Sequence, residues 1–169
     1  MNLASPIERA QDRASEGGKP VRLQLSRKKG FDLQAHSRAV NGLPAVNVAR
    51  PSKWGNPFPV INTGFVEEHQ SAVDRFKRLF KQPPSRRRHA VLTILVGNNG
   101  RGEAAVARML ADLPSLRGKN LGCWCALCPD HAAGKPFGIH CCECSPCHAD
   151  ALLELSNSLV CEAVDAKQN

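Results

Sequence analysis

An α+β fold, or a small α/β one, is what this sequence predicts: a compact single domain with a short sheet, about three helices and a Cys-rich loop near the C-terminus. Three observations carry that expectation. Segments with apolar residues at every second position are interspersed with segments whose apolar residues recur every three to four, the mixed periodicity of a strand-and-helix chain. Stretches rich in Gly and Pro separate them. Finally, seven of the eight Cys and three of the six His fall between Cys123 and His148. In a reducing compartment such clustering signals metal ligands or reactive thiols rather than disulfides.

The elements follow in order. Residues 1–20 carry Ser5, Pro6, Ser15, Gly17, Gly18 and Pro20 and little periodicity, so they read as a flexible leader. Val21-Arg22-Leu23-Gln24-Leu25 alternates with period two and predicts a half-buried strand. Lys28-Lys29-Gly30 predicts a turn, and Ala45 to Ala49 a second short strand. Pro51 to Asn62, with three prolines and a glycine, must be loop. Ala72, Val73, Phe76, Leu79 and Phe80 then share one helical face. Glu67 and Glu68 lie at its start and Arg78 and Lys81 at its end, the polarity a helix dipole favours. Pro83-Pro84 stops it. Arg86-Arg87-Arg88-His89 is an exposed run. Val91 to Val96 is a buried strand or a short helix, and Gly97 to Gly100 a turn. Ala105, Val106, Met109, Leu110 and Leu113 mark a second helix ending near Pro114. Leu121 to Cys125 enters the Cys-rich segment as a strand. Ala149, Leu152, Leu153 and Ser156 mark a third helix over about 148–157. Residues 21–157 thus form the domain and 158–169 a tail.

Charge and composition exclude several classes. Twenty-three Lys+Arg against 15 Asp+Glu leave a net charge of +8. No apolar run approaches the roughly 18 residues of a membrane span, and no charged-then-apolar signal appears at the start. The expectation is no membrane association and a cytoplasmic location. The basic excess and Arg86-Arg87-Arg88 would suit a nucleic-acid partner. Against that, aromatics are only 5% and the cations are dispersed.

Zinc is the cofactor that the Cys/His segment CWCALCPDHAAGKPFGIHCCECSPCH predicts. Cys125-x2-Cys128 with Cys141-x2-Cys144 has the two-knuckle spacing of a zinc ribbon. Cys128-x2-His131 with Cys141-x2-Cys144 gives a Cys3His set instead. Either turn converges two side chains on one ion, and tetrahedral zinc takes four such ligands. Lys135-Pro136-Phe137-Gly138 supplies the reversing loop between the knuckles. Cys142 and His140 are adjacent alternates for Cys141. Cys144-Ser145-Pro146-Cys147-His148 also matches the C-x-x-C-H haem-attachment pattern, but attachment needs export, and no signal for it is present. A thioredoxin-like use of Cys125-x2-Cys128 conflicts with Pro129, and a zinc deaminase would need an H-x-E that the chain lacks.

The loop Arg50-Pro51-Ser52-Lys53-Trp54-Gly55-Asn56-Pro57-Phe58 is the second chemical feature. Arg50 can fork onto a phosphate or carboxylate. Lys53 adds a point charge, Ser52 and the Gly55 N–H can donate, and Asn56 offers an amide. Trp54 can stack on a base or cover a pocket. The competing reading is a rigid turn whose Trp and Phe plug the core.

RPSKWGNPF at 50–58, LRGKNLGCWC at 116–125, and Cys147-His148-Ala149-Asp150 with Leu152 to Leu155 after it together resemble the uncharacterised domain-of-unknown-function family 4326, of bacteria and their phages. The resemblance covers roughly Val21 to Asn157. It transfers no activity. Shorter members run from the CWC strand to the CH helix over few residues, so Cys123, Trp124, Cys125, Cys147, His148 and Asp150 match the family core. The resemblance therefore implies that Cys128, His131, Cys141 and Cys144 belong to an added loop, 126–146, and form a structural zinc site within it. Cys125, Cys147, His148 and Asp150 are then the candidate catalytic group, with Cys147 at a helix start and His148 as base. The functional expectation is a domain binding an anionic, nucleotide-like or otherwise phosphorylated small ligand through the Arg50–Phe58 loop, with enzymatic use of the Cys/His core. The alternative is a zinc-containing nucleic-acid-binding or protein-interaction module.

Overall fold

The computed structural model describes residues 18–58, 66–81 and 101–158. The leader to residue 17, Pro83-Pro84, Arg86 to His89, Val91 to Val96, Gly97 to Gly100 and the tail with Cys161 lie outside the described residues.

Among the described residues four strands form one mixed sheet in the order β2-β3-β1-β4. They are β1 (Val21–Gln24), β2 (Ala45–Asn47), β3 (Asn120–Cys123) and β4 (Lys135–Pro136). β3 lies parallel between β1 and β2, with Leu121 opposite both Arg22 and Val46. β4 runs antiparallel along the outer edge of β1, pairing Lys135 with Arg22 and Pro136 with Val21. This corrects one expectation: the first two residues of Lys135 to Gly138 are a sheet edge rather than a free reversing loop.

The helices are α1 (Leu33–Asn41), α2 (Val66–Lys81), α3 (Arg101–Asp112) and α4 (His148–Ser158), four among the described residues where about three were expected. The additional one is α1. It forms because Asp32 caps it, accepting the Ala35 N–H at 2.9 Å, and Gly42 ends it at φ 78°, donating to Arg38 O at 3.0 Å. α2 buries Ala72, Val73, Phe76, Leu79 and Phe80, the stripe its periodicity marks.

Alternation along β1 divides the core. Val21 and Leu23 pack with Ala45 against Leu33 and Val40 of α1. On the other face Leu121 and Cys123 join Phe76 and Leu79 of α2, Met109 of α3 and Leu152 of α4. Asn120 ties the two ends of α1 and β3 together from a fully buried position. Its Oδ1 accepts the Val21 N–H at 2.8 Å, and its Nδ2 donates to Ser37 Oγ at 2.8 Å and Asn41 Oδ1 at 2.6 Å. Among the described residues no helix is long and apolar enough to cross a membrane.

Candidate functional site

The C-terminal end of β3 and the start of α4 converge, and two cysteine clusters form beside them. In the first, one donor atom each from Cys128, His131, Cys141 and Cys144 lie within 4.8 Å of one another. Cys128 Sγ is 3.8 Å from Cys141 Sγ, 3.4 Å from Cys144 Sγ and 3.0 Å from His131 Nδ1; Cys144 Sγ is 3.5 Å from that nitrogen. A tetrahedral ion with bonds of 2.0–2.3 Å would separate two sulfurs by about 3.8 Å and a sulfur and a nitrogen by about 3.5 Å. The donor set therefore fits a single metal ion. Backbone N–H groups also point at the sulfurs. The Cys128 N–H reaches Cys144 Sγ at 3.4 Å, and the amides of Cys144 and Glu143 hold the Cys141 thiol below its usual range. Of the adjacent pair, Cys141 joins the cluster and Cys142 is exposed.

The second cluster is Cys123, Cys125 and Cys147, again with sulfurs within 4.8 Å of one another. Cys125 therefore sits with this group, not in a Cys125–Cys128 knuckle. Cys123 and Cys125 are two apart on an extended strand end and so share a face; their sulfurs are 3.7 Å apart. Hydrogen bonds from Cys123 and Cys125 hold the Cys147 thiol well below the usual range, helped by the Arg22 guanidinium and the Ala149 N–H and opposed by burial. The same hydrogen bonds, to Cys123 and then Cys147, push Cys125 up, and burial adds to that.

Arg22 lies beneath both clusters with no exposed surface. Its guanidinium donates to Ser145 O at 2.9 Å and sits 3.4 Å from Asp150 Oδ2, which also takes Lys135 Nζ at 3.0 Å. Burial works against the charge on Arg22, but Cys147 and Asp150 hold its pKa above the ordinary value. Asp150 is thus engaged by two cations.

A cavity of about 170 Å³ opens between the 50–58 loop and the cysteines, with Arg50, Asn56 and Phe58 on one side and Cys125, Trp124 and His148 on the other. Cys123 and His69 also line it. His148 Nε2 donates to Val48 O at 2.8 Å, which leaves Nδ1 as its free nitrogen. Cys147 and Asp150 face a different cavity, of about 310 Å³, shared with Cys141, Cys144 and Lys135. The four residues expected to form one catalytic group therefore divide: Cys125 and His148 to the first cavity, Cys147 and Asp150 to the second.

The loop residues divide as well. Trp54 is 4% exposed, in the main core, so its indole plugs the fold and offers no free face. Ser52 Oγ accepts the Trp54 N–H at 3.3 Å. Asn56 donates to Ala72 O at 3.1 Å and accepts from the Phe58 N–H at 3.0 Å. Lys53 pairs with Asp112 at 2.6 Å on the surface. Gly55 is where the loop folds back, since a Cβ there would stand 2.6 Å from Arg50 Cγ. Arg50 alone of the loop's cations reaches the cavity, and among the described residues its side chain has no hydrogen-bond or ion-pair partner.

Sequence reasoning missed Arg22, His69 and the part played by Trp124. The exposed indole at the cavity is Trp124, 46% exposed, with the Arg27 guanidinium 5.2 Å from its ring centre. Its position in C-W-C on a strand places it opposite two inward cysteines, and that alternation was the available signal.

No curated protein and no solved structure matches the chain. A family model does, over residues 31–158, most of the chain although β1 and its Arg22 fall before the match; with the cysteine strand, the helix start and the 50–58 loop all inside it, the protein belongs to the family described as domain of unknown function (DUF4326).

Proposed function

We propose that this domain is a zinc protein that binds a nucleotide-like or other phosphorylated small molecule. The observation that carries the ligand reading is the arrangement about one opening: an unpaired guanidinium (Arg50), an exposed indole (Trp124) and an imidazole (His69) around a cavity of about 170 Å³. Enclosing a whole drug-sized ligand takes roughly 300 Å³ or more. The cavity suits a phosphoryl or sugar-phosphate group beneath Arg50, with a base lying outside against Trp124. Cys125 and His148 stand on the opposite wall of that cavity.

Zinc is the ion for Cys128, His131, Cys141 and Cys144. Three thiolates and an imidazole are too soft for calcium or magnesium, which take oxygen ligands, and a closed set of four protein donors is the pattern of structural zinc. Within residues 126–146 only Cys128, Lys135 and Cys144 are buried. The loop has no apolar core of its own, so the ion is what holds it.

Thermal melts test the ligand reading. Nucleoside monophosphates and ribose phosphates should raise the Tm of the wild-type protein; a ligand at about 100 times its Kd adds roughly 2.7 kcal/mol. Arg50→Ala should remove that shift and leave the zinc content unchanged. No shift with any phosphorylated compound at millimolar concentration would sink the reading.

A further inference from the structure

We propose that Cys123, Cys125 and Cys147 hold a second zinc-class ion, whose fourth coordination position opens on the Arg50 cavity. The argument begins with geometry. Three sulfurs lie within 4.8 Å of one another, and Cys123 and Cys125, 3.7 Å apart, stand at the spacing of two ligands on one tetrahedral ion. Thiolates select thiophilic metals such as zinc. Among the described residues the cluster has three donors, and three protein ligands with an open fourth position is the pattern of zinc sites that bind an exogenous molecule.

Charge is the second, independent support. Arg22 is fully buried and Lys135 is 6% exposed, yet among the described residues only one carboxylate, Asp150, pairs with the two of them. That leaves one buried positive charge in excess. A divalent ion on three thiolates carries one net negative charge and sits directly against this surplus. The Arg22 charge acts on the Cys147 sulfur, the place an outer partner of a metal thiolate occupies. As the ion binds, the remaining thiol protons pass to solvent.

Access is the third. Cys123 and Cys125 line the cavity where Arg50 stands, while Cys147 closes the cluster from behind. The exogenous fourth ligand therefore enters from the Arg50 side. An anionic oxygen, from phosphate or a phosphorylated molecule, would bridge the ion and the guanidinium. This last element rests on the ligand reading proposed above; the metal site does not.

The test is metal content of the full chain, loaded with zinc under reducing conditions and freed of loose metal. Two zinc ions per chain are expected, falling to one in Cys125→Ser and to one in Cys144→Ser. Zinc content in Cys125→Ser equal to that of the wild type overturns the site. One ion lost in Cys125→Ser but none in Cys144→Ser upholds it and refutes the loop site instead. Cobalt-loaded protein tests the open position without relying on a variant that must fold. Inorganic phosphate should change the visible cobalt spectrum of the wild type, and in Cys144→Ser as well. If the wild-type protein binds a second ion whose spectrum phosphate and phosphorylated ligands leave unchanged, the open position is refuted.

Discussion

Cys128, His131, Cys141 and Cys144 sit on a loop that buries almost nothing else, whereas Cys123, Cys125 and Cys147 sit where a core strand ends and a core helix begins. In both clusters the donor atoms lie within 4.8 Å of one another. What differs is the direction of dependence. On the proposed reading the loop needs its ion in order to have one conformation, because ordering some twenty residues costs roughly 1–2 kcal/mol each and little apolar burial, chiefly Phe137 against the core, offsets it. The core cluster is preorganised: Leu121, Ala149, Leu152 and Leu153 are fully buried around it and hold it open to a ligand or an ion without needing either. One metal would make structure, and the other would use it.

The largest expected effect breaks the loop side of this contrast. Removing zinc with a chelator, or replacing Cys144 by Ser, should cost about 5 kcal/mol or more, within the roughly 10–16 kcal/mol that structural zinc contributes in small sites. Limited proteolysis should then cut within 126–146 and spare the sheet and helices. Uniform cutting along the chain would mean that the loop and the core fold as one unit. Next comes the group between the clusters. Asp150→Asn leaves Arg22 and Lys135 buried without a counter-charge and should cost roughly 3 kcal/mol, read from denaturant unfolding. A smaller change in stability, but a sharper one in function, is expected at the cavity. Arg50→Ala should leave the Tm within about 1 °C, because an exposed side chain without partners contributes within ±0.5 kcal/mol. It should weaken phosphorylated ligands by about tenfold or more in calorimetric titration. Lys53→Ala should do least: its pairing with Asp112 is solvent-exposed on both sides and contributes at most about 0.5 kcal/mol. An equal loss of ligand affinity in Lys53→Ala would mean the ligand lies across the loop's outer surface instead.

Arg50 and Lys53 show where the sequence stopped being informative. As residue types beside a tryptophan they were equivalent; only the fold-back at Gly55 sends one into the cavity and leaves the other with Asp112. The two tryptophans pose the same problem. Both stand in short motifs of small and polar residues, and tertiary packing alone buries Trp54 and exposes Trp124. By contrast, α2 was legible because its five apolar positions recur at helical spacing. α1 was not, since its inward face consists of Leu33, Ser37 and Val40, and a buried serine breaks the pattern. Its caps, Asp32 and Gly42, were the better signal. The loop donors Cys128, His131, Cys141 and Cys144 were readable from x2 spacing, but spacing left Cys125 open, and only the family resemblance favoured the loop set over it. The grouping of Cys123 with Cys125 and Cys147, and the buried Arg22 beneath it, depends on a strand pairing nearly a hundred residues apart.

β4 gives the loop a second duty. It is only Lys135–Pro136, but among the described residues it is the one strand that covers that side of β1. An uncovered strand edge is a template on which another chain can pair, and Pro136, lacking an N–H, makes a poor template in turn. Because the cover is carried by the loop, and the proposed ion would hold the loop, loss of that ion would strip a guard from the sheet. Metal-starved protein would then fail first by sticking to itself, through β1, while its helices and its Arg50 cavity were still intact.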